Sequence, residues 1–335
     1  MKTVRKASLA EQVFRRLSDG QFASAQTLAD ELGVTRSAVQ KAMHAIEEAG
    51  VPVEFVPHRG HRLRDGIVAL DVAQILAQLP AHALARVARC EVEWALPSTN
   101  AALLAAGEPP FGQAAVLLAE HQTAGRGRRG RAWVAPLGGA VCLSIAWTFP
   151  ELPRDLAALS LVVGVCALRA FGARDVRGLA LKWPNDLFWR GAKFAGTLIE
   201  MSGEACGNCS VVIGIGINVR MPRALGAPID QAWTDLATII GTIPSRNRLA
   251  GTLLSELIEM LAGFESKGLA PLLEEWRRYD ILRDSPVTVT TPHGELSGIA
   301  RGIDAGGALL VEEGGIIKRY LSGDVSLRAK RSDPA

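Results

Sequence analysis

The sequence predicts a multidomain α+β fold, because three different patterns follow one another along the chain. Short helical segments and a strand pair come first, a long stretch of mixed strands and helices follows, and short alternating strands with glycine turns come last. At 335 residues the chain is also longer than one ordinary hydrophobic core supports. We therefore predict three domains, over residues 1–65, 66–282 and 283–335.

Bulk composition predicts a soluble, globular protein. Hydrophobic residues make up 48% of the chain, but no uncharged apolar run reaches the length of a membrane span. The first residues, MKTVRKASLAEQVFRR, are charged throughout and lack the apolar core of a signal peptide. These features predict a cytoplasmic location.

Cysteine usage argues against a disulfide framework, since the five cysteines have no regular spacing. Cys206 and Cys209 form a CxxC pair, but a zinc site would need a second ligand pair nearby and the sequence shows none. We interpret the pair as part of a small-residue hairpin and assign no metal ligands.

Residues 11–64 carry the pattern of a winged helix-turn-helix. Apolar residues at helical spacing predict two helices before Gly33, which permits a tight turn. Thr35 can cap a third helix that continues to Gly50. The segment from Val53 to Leu63 then reads as a small hairpin, or wing.

The third helix predicts a DNA-binding surface. Its outer face carries residue types that bond base edges and phosphates, and the wing tip PHRGH at 57–61 adds positive charge. Because the net charge is only +3, binding would depend on this local patch. Such folds also serve as protein–protein modules, and this alternative stays open. The candidate DNA-binding residues are Thr35, Arg36, Ser37, Gln40, Lys41 and His44.

In the central region, Ser98, Thr99 and Asn100 follow a strand over 90–96 and precede a helix. They can simply cap that helix. Hydroxyl and N–H groups at a helix start are also suited to hold an anionic or amide-bearing ligand.

The stretch AEHQTAGRGRRGRAWVAP, residues 119–136, places four arginines among three glycines. The glycine spacing matches a dinucleotide fingerprint, but a strand rather than a helix follows it, so that interpretation fails. We predict a flexible cationic loop between two strands that can close over phosphates. A solvated basic loop without a ligand is the alternative.

Two further stretches predict site residues. In KWPND a Pro-Asn-Asp turn begins a hairpin that would bring together Lys182, Asn185, Asp186 and Lys193. Such turns are also common without any function. Downstream, Gly214 and Gly216 interrupt a buried strand over 211–218 and leave room on one face for a ligand or another backbone.

A long apolar helix over 156–171 and two amphipathic helices over 247–264 and 269–279 complete the central domain. From Ser285 onward, short strands with glycine turns predict a small β-barrel of the SH3 type.

Taken in order, these motifs resemble the bacterial bifunctional biotin protein ligases that also repress the biotin operon. The resemblance covers nearly the whole chain. Related lipoate ligases share the fold without these motifs. The matching stretches are the N-terminal helix-turn-helix, PSTN, HQTAGRGRRGRAW, KWPNDL, KFAGTLIE, GIGINV and GIIKRYLSGDVSLR.

The resemblance implies a biotin/lipoate-ligase-like central domain and a two-step reaction. The biotin carboxylate attacks the α-phosphorus of MgATP to give biotinyl-5′-AMP, which a lysine of a biotin carboxyl carrier domain then attacks. ATP, biotin and Mg²⁺ are the implied small molecules, and biotinyl-5′-AMP is the implied corepressor. Operator DNA and a second copy of the chain, as an adenylate-bound homodimer, are the other implied partners.

The resemblance also implies residue roles. Lys193 would bridge the biotin carboxylate and the α-phosphate, Asp186 would attract or help deprotonate the incoming lysine, and Arg128 would hold the adenylate. The implied biotin and ATP contacts are Ser98, Thr99, Asn100, Gln122, Gly125, Arg126, Arg128, Arg129, Arg131, Trp133, Lys182, Asn185, Lys193, Gly196, Asn218 and Arg328.

Two alternatives stay open on sequence grounds. One is a regulator that binds an acyl-adenylate without turning it over, and the other is a ligase with a vestigial DNA-binding domain. The wing residues His58, Arg59 and His61 depart from the family pattern, which leaves the operator sequence undefined.

Overall fold

The computed structural model describes residues 7–153, 155–172, 176–202, 209–291, 294–321 and 326–329. Cys206 lies outside these ranges, while Cys209 is buried in a strand. The side chain of Arg328 is likewise outside the described part, although its backbone pairs with Thr288.

The N-terminal unit is a winged helix-turn-helix, as predicted. Ser24 caps the second helix, Gly33 ends it in the left-handed conformation at φ 67°, and Thr35 caps the third helix through Ala38 N. Local side-chain chemistry therefore defines the turn. The elements are α1 (Leu9–Leu17), α2 (Ala25–Leu32), α3 (Arg36–Glu48), β1 (Val53–Val56) and β2 (Gly60–Leu63).

The central unit is built on one mixed sheet, in the order β3-β4-β6-β10-β9-β8-β7, with β5 paired to β4. Only the β3–β4 pairing is parallel among the described strands. Its elements are α4 (Val72–Leu76), α5 (Ala81–Leu84), β3 (Val87–Leu96), α6 (Thr99–Ala106), β4 (Ala114–Arg126), β5 (Ala132–Ala135), β6 (Ala140–Phe149), α7 (Leu159–Ala170), β7 (Leu179–Lys182), β8 (Asp186–Trp189), β9 (Ala192–Ser202), β10 (Cys209–Asn218), α8 (Arg223–Gly226), α9 (Leu236–Ile240), α10 (Arg246–Lys267) and α11 (Leu273–Tyr279).

Alternation along the strands divides the sheet into two faces. Val116 and Leu118 of β4 join the large core that also contains α7 and α10. Ala115 and Leu117 face the other way and pack with Leu103 of α6. The α6 face is covered over only part of its area, and the candidate site lies there. Among the described residues, none of the helices combines the length and apolar character that crossing a bilayer requires.

Two strand boundaries differ from the sequence, which predicts strands over 114–120 and 197–201. β4 continues beyond Glu120 to Arg126 and pairs with β5, so the arginine stretch is a hairpin and its loop is shorter than expected. β9 begins at Ala192, which places Lys193 and Gly196 inside a strand rather than before one. In both cases pairing with a neighbouring strand outweighs the local turn signal of glycine.

The C-terminal unit is an antiparallel five-stranded sheet in the order β14-β13-β12-β11-β15. The sequence predicts strands over 287–291, 295–303, 308–312, 316–320 and 324–327, and a described strand corresponds to each. Within the described residues, the first and last strands of this order, β14 and β15, are not paired with each other. The strands are β11 (Pro286–Thr291), β12 (Gly294–Ile303), β13 (Leu309–Glu313), β14 (Ile316–Tyr320) and β15 (Ser326–Ala329).

A buried ion pair fastens the segment between the first two units to the central sheet. Arg246 Nη1 lies 2.7 Å from Glu120 Oε2, and both side chains are less than 5% exposed. Arg246 also donates to the carbonyl of Val68, and Leu70 N donates to Glu120. The two opposite charges are thus paired, and each side chain also hydrogen-bonds the backbone of the connecting segment.

Replacing Glu120 by alanine is expected to lower the free energy of unfolding of the central unit by about 3 kcal/mol, because Arg246 would stay buried without a counter-charge. Denaturant unfolding followed by tryptophan fluorescence measures this. Glu54→Ala, which removes a half-exposed pair with Arg62, is the control and should cost under about 1 kcal/mol. Equal losses for the two variants would contradict the assignment.

Candidate active site

A cavity of about 930 Å³ opens on the α6 face of the central sheet. The arginine hairpin, the β8–β9 hairpin, residues 228–232 and the chain at 281–285 enclose it. Two acidic side chains, Asp186 and Asp230, line it beside six basic ones, so the cavity favours an anion. The basic side chains are Arg126, Arg128, Arg129, Arg131, Lys182 and Lys193.

One end of the cavity is neutral and polar. Ser98 caps α6 by accepting from Ala101 N at 3.4 Å, which confirms the capping interpretation. The Thr99 N–H donates to Gln122 Oε1 at 2.8 Å, and the Thr99 hydroxyl oxygen lies 3.1 Å from the same atom. Ser98, Thr99 and Asn100 are all buried. This end therefore offers fixed hydrogen-bonding groups without net charge.

The two glycines of β10 make room for side chains rather than for another backbone. A Cβ atom at Gly214 would overlap the amide of Asn100, and one at Gly216 would overlap the indole of Trp133. The sequence correctly indicated free space here but did not show what fills it. These glycines bring Asn100 and Trp133 down onto the sheet, where both line the cavity.

Lys193 and Asp186 form an ion pair at the centre of the cavity wall. Lys193 Nζ lies 2.6 Å from Asp186 Oδ1, and the side chains are only 15% and 20% exposed. Gly196 leaves the space that the pair occupies, because a Cβ there would approach Lys193 and Asp186 to about 3.2 Å. The Trp133 ring lies 5.9 Å from Lys193 Nζ. The lysine is thus held in place by charge and by packing.

The other residues of the KWPND hairpin surround this pair. Asn185 Nδ2 donates to the carbonyl of Thr197 at 2.8 Å, and Lys182 Nζ lies 5.4 Å from the centre of the Phe188 ring. The structure therefore brings Lys182, Asn185, Asp186 and Lys193 to one cavity, as the turn signal predicted.

The arginine hairpin forms the cationic side of the cavity. Arg126 at the end of β4 is paired with Glu200, at 3.2 Å. Burial lowers the pKa of Arg128, as does the nearby charge of Arg129, while the Asp186 carboxylate acts in the opposite direction. Arg129 has a left-handed backbone, at φ 57°. A partly buried guanidinium is well placed to bind an anion that neutralises it.

Two of the expected contacts, Gly125 and Asn218, do not line the cavity. Gly125 packs beneath the backbone of Trp133. Asn218 is buried and its amide donates to the carbonyl of Thr234 at 3.1 Å, so it supports the chain near 234 instead. The Arg328 side chain lies outside the described part.

Several lining residues were not recognised in the sequence. Cys142 lies beneath Trp133, and burial raises its pKa to about 12, which makes it a neutral thiol. Ile281, Leu282 and Ser285 reach the cavity from the junction with the C-terminal unit. Glu200 does not itself line the cavity among the described residues, but it contacts Asn100 and Arg126, which do. Ordinary apolar and polar positions such as these carry no sequence signal of their own.

The fold and the cavity define a protein ligase of the biotin and lipoate class that carries a DNA-binding domain. Residues 97–218 match the biotin/lipoate A/B protein ligase family, and residues 284–328 match the biotin protein ligase C-terminal domain. Residues 10–62 match a helix-turn-helix domain. All three matches lie on the corresponding structural units.

The chain belongs to the family of bifunctional biotin ligase/repressors. It is 40% identical over 317 residues to the bifunctional ligase/repressor BirA of Escherichia coli K12, covering 93% of this chain and 95% of that one. Against the BirA of Bacillus subtilis 168 the identity is 30% over 311 residues, covering 92% and 94%. A structure of the biotin protein ligase from Aquifex aeolicus in complex with biotin and ATP is also similar, with a TM-score of 0.61 and 27% identity over 72% of this chain and all of that one.

Proposed function

We propose that this protein activates biotin with ATP to form biotinyl-5′-AMP and transfers the biotinyl group to a lysine of a biotin carboxyl carrier domain. One observation supports this most directly. A single cavity joins a neutral hydrogen-bonding end, at Thr99 and Gln122, to an array of cations around Lys193. Such a cavity suits a ligand with a neutral polar ring and a carboxylate that must meet a nucleotide.

In the first step an oxygen of the biotin carboxylate attacks the α-phosphorus of ATP, and the bond to pyrophosphate breaks. Two anions must approach each other, so positive charge fixed in advance is the main catalytic need. Lys193 is a largely buried cation in the wall, and Asp186 keeps its ammonium in place at 2.6 Å. Arg128 would share the charge of the α-phosphate. Mg²⁺ enters with ATP as part of the substrate.

In the second step the amine of the carrier lysine attacks the acyl carbon of the adenylate. A C–N bond forms, the bond between the acyl carbon and the phosphate oxygen breaks, and AMP leaves. Asp186 lines the cavity beside this position and can attract the ammonium form of the incoming lysine and take up its proton. When the adenylate carries the interaction with Lys193, the Asp186 carboxylate becomes available for that role.

The remaining contacts follow from position in the cavity. Thr99, Asn100 and Gln122 would hold the biotin ring, with Trp133 as a wall. Lys182 and Asn185 would face the nucleotide, and Arg129 and Arg131 would meet the outer phosphates of ATP. We also propose domain limits at 65 and 282, which leave Ser285 as the one described lining residue that lies outside the second domain. Arg328, from the third domain, is proposed to reach ATP.

The regulatory half of the function rests on α3. All six candidate DNA-binding side chains on it are exposed, from Thr35 to His44. We propose that biotinyl-5′-AMP favours a homodimer formed through edge strands of the central sheet, whose outer strands are β3 and β7. The dimer would present two recognition helices to an operator of the biotin genes. The carrier domain and the second subunit would compete for the surface formed by these edge strands.

Binding to the DNA upstream of the protein's own biotin genes tests this half. The wild-type protein is expected to give a gel shift that strengthens when biotin and ATP are added. Lys41→Ala should weaken binding and reduce the dependence of log K on log salt by about 0.9, since one phosphate contact is lost. Lys267→Ala, at the far end of α10, is the matched control. No shift in either condition would refute the repressor half and leave the ligase half intact.

A further inference from the structure

Glu200 connects the two ends of the cavity, and the proposed function gives it no role. It lies on β9, and its Oε2 accepts from Asn100 Nδ2 at 2.9 Å. The same carboxylate pairs with Arg126 Nη2, at 3.2 Å to Oε1 and 3.3 Å to Oε2. One carboxylate therefore contacts both the neutral end and the start of the arginine hairpin.

A chain of short hydrogen bonds leads from Glu200 through the neutral end. Ser144 is fully buried on β6, and its hydroxyl lies 2.6 Å from Asn100 Oδ1 and 2.6 Å from Thr99 Oγ1. The Thr99 N–H donates in turn to Gln122 Oε1. The order of contacts is Glu200, Asn100, Ser144, Thr99 and Gln122. No member of this chain is charged except the first.

The carboxylate fixes the direction of these bonds. A carboxylate only accepts hydrogen bonds, so Asn100 must turn its NH₂ group towards Glu200. The second hydrogen of that NH₂ goes to the carbonyl of Leu198, at 3.1 Å. A flipped amide would place its oxygen against two other acceptors. Asn100 Oδ1 is therefore held towards Ser144, which donates to it.

The fixed orientation of Asn100 determines which of its atoms the cavity wall offers to a ligand. Because both amide hydrogens of Asn100 are donated to Glu200 and to the carbonyl of Leu198, only its amide oxygen can hydrogen-bond a ligand. Gln122 Oε1 accepts from the Thr99 N–H, which fixes the orientation of that amide as well, and the Thr99 hydroxyl hydrogen goes to Ser144, whose own hydrogen goes to Asn100. The pattern of donors and acceptors that a neutral ring encounters is thus set before the ligand arrives.

We propose that Glu200 is a positioning residue for the biotin-binding end, acting through the orientation of Asn100 and the Ser144 hydroxyl. This inference rests on the proposed ligase function. Its contact with Arg126 also ties the first arginine of the hairpin to the same carboxylate. Since Glu200 itself does not line the cavity among the described residues, its effect on the ligand is indirect.

Glu200→Gln is the sharpest test, because glutamine keeps the size but can present either a donor or an acceptor to Asn100. We expect the KM for biotin in ATP–pyrophosphate exchange to rise about tenfold, with kcat and the KM for ATP within about twofold. Calorimetric titration with biotin alone should show the same loss of affinity. Glu200→Asp should recover part of it. Glu259→Gln, an exposed glutamate on α10 that pairs with His82, is the control and should change neither constant.

A double-variant cycle tests the path. If Glu200 acts through Ser144, adding Ser144→Ala to Glu200→Gln should raise the biotin KM by much less than Ser144→Ala does alone. An unchanged biotin KM with a lowered melting temperature would overturn the inference in favour of a purely structural role. A raised KM for ATP alone would overturn it too, because Glu200 would then act through Arg126. A wild-type protein without biotin-dependent exchange would refute the proposed function itself.

Discussion

Lys193→Ala is expected to lose biotin-dependent ATP–pyrophosphate exchange by about 10³-fold. Lys193 is held in the wall by Asp186 at 2.6 Å, in the space that Gly196 provides. Removing it takes away positive charge where the carboxylate meets the α-phosphate, and it leaves the Asp186 carboxylate there to repel both anions. Exchange of labelled pyrophosphate into ATP, with and without biotin, measures the first step alone.

The lysine variant has a control in Lys267→Ala, which removes the same charge from the end of α10 far along the chain. Its exchange rate should equal that of the wild type. Biotin affinity of the Lys193 variant, measured without ATP, should fall much less than its exchange rate, because the ring contacts at Thr99 and Gln122 remain. Exchange by the variant near the wild-type rate would remove Lys193 from the mechanism.

Arg128→Gly is expected to form the adenylate but to release it about 10- to 100-fold faster than the wild type. The half-buried Arg128 guanidinium faces the same region as Asp186, and burial together with Arg129 lowers its pKa. An anionic adenylate that neutralises this group would be held by a charge-assisted hydrogen bond, and losing it costs about 1.5–3 kcal/mol. The open hairpin would also admit water to a reactive anhydride.

Release is measured by forming radiolabelled adenylate on the enzyme and chasing with unlabelled biotin and ATP. A bystander protein in the mixture should become biotinylated on surface lysines only with the Arg128 variant. Arg131→Gly serves as the comparison, because Arg131 is assigned to the outer phosphates and should mainly raise the KM for ATP. Adenylate that leaves the Arg128 variant as slowly as the wild type would contradict the role of the hairpin as a lid.

Local signals predicted the N-terminal unit well because its structure depends on local chemistry. Ser24 and Thr35 cap their helices and Gly33 adopts φ 67°, and each of these choices is made by the residue itself. The C-terminal strands were equally clear, since glycine turns separate them. The ends of strands in the central sheet could not be predicted in this way, because the lengths of β4 and β9 depend on pairing with neighbouring strands.

The site residues that lie close together along the chain could be predicted from the sequence. The site residues that only the pairing of the sheet brings together could not. Lys182, Asn185, Asp186 and Lys193 lie within twelve residues of each other and were expected to meet. Asn100 and Glu200 are one hundred residues apart, and only the pairing of β6, β10 and β9 brings them together. Asn218, which the GIGINV motif suggested as a contact, does not line the cavity in this structure, and its amide donates to the carbonyl of Thr234.

Formation and discharge of an enzyme-bound adenylate tests the central claim most directly. The protein is incubated with biotin, Mg²⁺ and ATP labelled at the α-phosphate, freed of excess nucleotide, and then mixed with a biotin carboxyl carrier domain. We expect labelled biotinyl-5′-AMP on the protein, dependent on biotin, and its conversion to labelled AMP as one lysine of the carrier domain becomes biotinylated. A protein that binds no labelled adenylate, or that holds it unchanged when the carrier domain is added, would contradict the ligase function.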